Sequence, residues 1–168
     1  MPPLRVLAAI AALTMCAGCT MAAESTVQPA ASPAAAWCPE TSPTPDAARP
    51  AVLAGTSISW FGQGDLWVGL PDYPPVAEGD GLLLRFPWVT LHDGAPTSAL
   101  GPPAVVATRT DARRSASVRL GSIAQAFGTR ALAFWPASVV FPEPGCWTVR
   151  GALGAASVQF VVDVARPS

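Results

Sequence analysis

Phe141-Pro142-Glu143-Pro144-Gly145-Cys146-Trp147-Thr148-Val149-Arg150 runs on through Gly151-Ala152-Leu153-Gly154 to Ser157-Val158-Gln159-Phe160-Val161-Val162-Asp163-Val164. The passage spells a strand, a glycine-bearing turn and a second strand. Trp147 and Val149 share one face of the first strand, and Val158, Phe160, Val162 and Val164 share one face of the second. That period of two is the pattern of a half-buried β-ribbon. The Pro-Glu-Pro-Gly ahead of it makes a tight corner that delivers the chain into the ribbon.

Working back from the ribbon, the same pattern recurs in short pieces. Residues 56–61 and 66–70 read as a hairpin about Gly62-Gln63-Gly64-Asp65, with Ile58 and Trp60 on one face and Leu66, Val68 and Leu70 on another. The Gly-x-Gly is a turn, because no Gly-x-x-x-x-Gly-Lys and no helix follows it. Residues 71–81 form a proline-rich connection. A short apolar strand over 82–86 is expected to halt at Pro87, with Trp88-Val89-Thr90-Leu91 beyond it, and 92–103 reads as loop. Residues 104–110 and 115–120 are two more strands joined by Asp111-Ala112-Arg113-Arg114. Residues 122–127 suit one helical turn, and 131–135 and 138–141 lead into the closing ribbon. The count of seven or eight short strands predicts an all-β, immunoglobulin-like β-sandwich over residues 51–168.

Composition agrees with one domain plus a tail. Of 168 residues, 51% are apolar and 12% charged, so a core can form; 19 Pro and 14 Gly break the strands. All cationic side chains are Arg, and the formal net charge of -1 leaves no electrostatic footprint for nucleic acid.

The first residues read as a leader rather than as part of the fold. Met1-Pro2-Pro3-Leu4-Arg5 carries one positive charge, residues 6–15 are apolar but too few to span a bilayer, and Ala17-Gly18-Cys19 follows. This resembles a bacterial lipoprotein signal peptide, with Ala17 and Gly18 at the small positions and Cys19 at the lipidated one; Cys16 stands where Leu is usual. The resemblance implies a signal peptide over residues 1–18 and a palmitate-type lipid anchor on Cys19, holding the protein at the extracytoplasmic face of the cell membrane. The other reading is simple cleavage and secretion near Ala22-Ala23. Residues 19–50, rich in Ala, Pro, Ser and Thr and broken by Trp37-Cys38, read as a flexible tether. With Cys16 removed and Cys19 acylated, Cys38 and Cys146 remain, and an oxidising compartment predicts a disulfide bond between them.

Pro144-Gly145-Cys146-Trp147-Thr148-Val149 resembles the entry into the penultimate strand of many bacterial Ig-like domains, with Trp147 where Tyr is usual, so that no hydroxyl corner bond carries over. Together with Gly64-Asp65-Leu66-Trp67-Val68, Pro71 and Pro87-Trp88, it resembles a group of uncharacterised secreted bacterial lipoproteins. That likeness implies a fold and a location, not an activity.

A catalytic or metal constellation does not assemble from this sequence. His92 is the one histidine, and neighbouring Asp93 is badly placed to orient it as a base. There is no Gly-x-Ser-x-Gly elbow. One His with no spare Cys makes no zinc or copper site. Asp65, Asp72, Glu78, Asp80 and Asp93 lie in loops without the spacing of a calcium loop, and two of them could pair in a small-hydrolase alternative. No cofactor is expected. Among the six tryptophans, Trp60 and Trp147 are core by pattern, while Trp67 falls opposite Leu66, Val68 and Leu70 and is the best candidate for exposure. Arg109, Arg113, Arg114 and Arg119 form a basic cluster around a hairpin tip.

The expectation is therefore a lipid-anchored, non-enzymatic binding or scaffolding module of the cell envelope. Its partners would be the membrane and an envelope protein or glycan, with ligand contacts at Trp67, Trp88, Arg113 and Arg114. The alternative is a carbohydrate- or wall-polymer-binding module built on exposed Trp.

Overall fold

The computed structural model describes residues 38–126 and 132–165; the leader, Cys19 and Trp37 lie outside them. Eleven strands form among the described residues: β1 (Ser59–Gln63), β2 (Leu66–Leu70), β3 (Val76–Glu78), β4 (Gly81–His92), β5 (Ala95–Pro96), β6 (Ala104–Arg109), β7 (Ser117–Leu120), β8 (Ala124–Ala126), β9 (Leu132–Phe141), β10 (Gly145–Leu153) and β11 (Ala156–Val164). One sheet runs β1-β2-β4-β9-β7, with β3 and β5 added on β4 and β8 on β9; the other runs β11-β10-β6. All ladders are antiparallel. The protein is an all-β sandwich.

The closing ribbon forms as its pattern requires. Trp147 pairs with Val162 and Val149 with Phe160, and all four are buried. Gly154 occupies the first position of the two-residue turn at φ +56, a conformation open to Gly and strained for other residues. The inner faces of both sheets meet in one core, where Phe61 stacks on Phe160 at 4.8 Å, Phe86 meets Phe160 edge-on at 5.7 Å, and Phe141 meets Trp147 edge-on at 5.2 Å.

Two prolines expected to end strands lie inside them. β4 and β9 run unbroken through Pro87 and Pro136, which face each other across the ladder. The Pro136 carbonyl accepts from the Gly121 N–H at 2.8 Å, so the backbone polar groups of Pro136 point toward β7 and away from β4. The pair thus falls at a ladder position where no hydrogen bond is lost. The expected helical turn over 122–127 is also corrected: Ala124–Ala126 is a strand paired with β9, and Phe127 lies outside the described residues.

The folded module starts earlier than residue 51. Thr41 exchanges bonds with Val161 on the edge of β11 (N–H to the Val161 carbonyl, 3.1 Å; Val161 N–H to Oγ1, 2.9 Å), and the Thr44 N–H donates to Trp60 on β1 at 2.8 Å. One segment therefore covers an edge of each sheet. Polar Thr and Ser serve this as well as apolar residues would, since the bonds come largely from backbone, which is why composition alone read the segment as tether. Residues 51–53 follow as a 3-10 turn that drops Leu53 against Trp60, Trp67, Val89, Leu91 and Leu132, a second core on the outer face of the large sheet.

Candidate functional site

Cys38 and Cys146 form the expected disulfide, with Cα atoms 5.5 Å apart and a sequence separation of 108. Beside it the β6–β7 hairpin tip folds onto the β9–β10 corner. Arg109 donates to Asp111 at 2.5 Å, to Glu143 at 2.9 Å and to the Pro144 carbonyl at 2.9 Å, and Arg114 reaches the other Glu143 oxygen at 3.2 Å. Gly145 has φ +132, a conformation that favours glycine, and a Cβ there would press to 3.0 Å on the Arg109 guanidinium. The basic cluster read from sequence is thus taken apart. Arg109 and Arg114 are neutralised by Asp111 and Glu143, Arg113 stays exposed at the tip, and Arg119 lies elsewhere. Arg114 is a corner clamp rather than a free ligand contact.

The Arg109 hydrogen bond holds the Asp111 carboxyl below its ordinary value of 3.8, and Asp111 in turn raises Arg109. With the carboxyl depressed in the folded state, the pair's contribution is complete above that ordinary value and is lost as pH falls through the folded one. A carboxyl carbon NMR titration should place the Asp111 midpoint below 3.8, and Arg109→Ala should return it toward 3.8.

Trp67 and Trp88 correct the other half of the ligand-contact expectation. Trp67 is 2% exposed and Trp88 0%. β2 is covered on both faces: Leu66 and Val68 enter the main core, while Trp67 enters the second core and donates its indole N–H to the Gly64 carbonyl at 2.9 Å. Neither ring offers a face to a sugar. Trp60, Trp135 and Trp147 also donate, to Thr56, Thr90 and the Glu143 carbonyl; among the described residues Trp88 Nε1 is a buried donor without a partner.

His92 ends β4, with its side chain 70% exposed and Nε2 at 3.6 Å from Asp93. Glu78 and Asp80 flank the β3–β4 turn, while Asp65 and Asp93 lie at the far end of the twelve-residue β4, about 35 Å away at strand rise. The two groups of carboxylates are too distant to act on one bond as a glycosidase pair does. Among the described residues no three His, Cys, Asp or Glu side chains gather to hold a metal, and no helix is long and apolar enough to cross a membrane.

A different surface stands out. On the outer face of the large sheet, Arg85, Ser138 and Arg119 are in direct cross-strand register on β4, β9 and β7. They line a cleft of about 380 Å³ with Leu83, Pro136 and Glu78. Both arginines are exposed, and among the described residues neither enters an ion pair. Sequence reading grouped Arg119 with the hairpin tip and passed over Arg85. Its signal was a charge at an outward position between core-facing Leu84 and Phe86. Comparison with protein-family models, with curated proteins and with solved structures finds no match.

Proposed function

We propose that the protein is an extracytoplasmic, lipid-anchored binding or scaffolding module of the bacterial envelope, non-enzymatic, carried on an Ig-like sandwich. The observation that carries this reading is the Cys38–Cys146 bond, which consumes both thiols of the folded module and fits an oxidising compartment. It leaves Cys16 and Cys19, of which Cys19, following the small residues Ala17-Gly18, is the one for acylation.

The Ig-like part is supported by strand order. Taken in chain order, β2, β4, β6, β7, β9, β10 and β11 occupy the places A to G, with A-B-E-D facing C-F-G. Trp147, near the start of the sixth of these, donates to the Glu143 carbonyl at 3.2 Å, the backward corner bond that a tyrosine hydroxyl makes in such domains. The disulfide departs from that plan by tying the sixth strand to the incoming segment rather than across the sheets.

Anchoring is tested by fractionation and mass spectrometry. The native protein should sediment with membranes and carry an acylated Cys19 as its N-terminal residue, since stable attachment takes more than one chain. Cys19→Ala should appear in the soluble fraction or stay unprocessed; an unmodified N-terminus near Ala22 in the native protein would overturn the anchor.

A further inference from the structure

From the register of Arg85, Ser138 and Arg119 we infer that the outer face of the large sheet binds a phosphodiester group. The inference names a ligand class for the binding role proposed above and rests on that role. Adjacent strands lie about 4.8 Å apart, so the two arginine backbones are about 10 Å apart with Ser138 midway. Residues opposite each other in register point to the same face, so the two arginine side chains rise on either side of Ser138.

Two like charges sharing a face repel each other; Arg109 and Arg114 are neutralised by Asp111 and Glu143, whereas Arg113 and Arg150 enter no ion pair among the described residues. Arg85 and Arg119 are left without that neutralisation. Two five-donor forks with the Ser138 hydroxyl in the row between them offer more donors than a planar carboxylate uses, which one arginine can satisfy alone, and suit the spread oxygens of a tetrahedral phosphate. Glu78, also in the cleft and without an ion pair among the described residues, sets the charge. Two cations against one anion leave a single positive charge, which matches the one negative charge of a diester and not a dianionic monoester. Leu83 and Pro136 give the cleft an apolar floor for the ester substituents.

The test is a ¹⁵N NMR titration of the protein, as isolated from its envelope in non-ionic detergent, with dimethyl phosphate. Shifts should concentrate at the amides of Arg85, Arg119 and Ser138 and at the two arginine Nε groups, and should weaken as salt is added. Arg85→Ala and Arg119→Ala should each weaken binding about tenfold, the loss expected for one charge-assisted contact. Both side chains are exposed, so the melting temperature should hold and report intact folding. A soluble glycerol-phosphate oligomer and phosphatidylglycerol added to the micelles, titrated separately, tell a polymer from a lipid headgroup; shifts at the same three residues with either support the site. Absence of shifts, shifts centred on Arg113 or Arg150, or binding unchanged in the double variant would overturn it. None of these results depends on Cys19, so failure of the anchor and failure of this site are told apart.

Discussion

Reduction of the Cys38–Cys146 bond should lower the unfolding midpoint by roughly 15 to 25 °C. In the chain-entropy treatment, closing a loop of this size removes about 4.7 kcal/mol of denatured-state freedom, and for a domain of this length each kcal/mol moves the midpoint by several degrees. The bond does more than shorten the unfolded chain. It holds the segment whose Thr41 and Thr44 cover the edges of β11 and β1. Once freed, that segment has few apolar contacts of its own, and two strand edges would open to pairing with other molecules. Thermal unfolding followed by circular dichroism, with and without a phosphine reductant and repeated on Cys38→Ser/Cys146→Ser, measures the first effect; light scattering measures the second. A shift of less than about 5 °C would show that noncovalent contacts, rather than the covalent closure, hold the segment.

Trp88→Ala should cost about 3–5 kcal/mol, as expected for emptying a fully buried aromatic site. Trp88 spans the sandwich and reaches Gly151 of β10: a Cβ built there would sit 2.1 Å from its six-membered ring. Gly151→Ala should therefore cost about 3 kcal/mol by overpacking, since sheet backbone has little room to retreat. Trp88→Phe withdraws the atoms that clash and also removes the unpartnered indole N–H, whose burial costs about 1–3 kcal/mol. Gly151→Ala should then be milder in the Trp88→Phe background than in the native one, with a coupling of about 1–3 kcal/mol in a denaturant-melt double-mutant cycle. Independent effects at the two positions would mean that the sheets do not meet through this contact.

The sandwich that these two variants probe was legible in the chain to different depths. Where one face of a strand is buried and the other wet, side-chain alternation states both, and the closing ribbon was readable for that reason. The same rule failed at Trp67. Alternation placed it opposite Leu66 and Val68, but it cannot say whether a second layer covers the opposite face, and here residues 51–53 do. The unbroken apolar run Leu66-Trp67-Val68 was the available sign of a strand buried on both sides.

By itself, then, the sequence determined the all-β class, the late ribbon and the two cysteines left to pair, because these rest on local periodicity and on residue chemistry. Only the tertiary structure decided the rest: that Pro87 and Pro136 face each other inside strands, that a polar segment after Cys38 covers two edges, and that Arg85 and Arg119 flank one serine. Each depends on which residues far apart in the chain come into register. Register is set by the packing of whole sheets, a quantity that no single stretch of sequence contains.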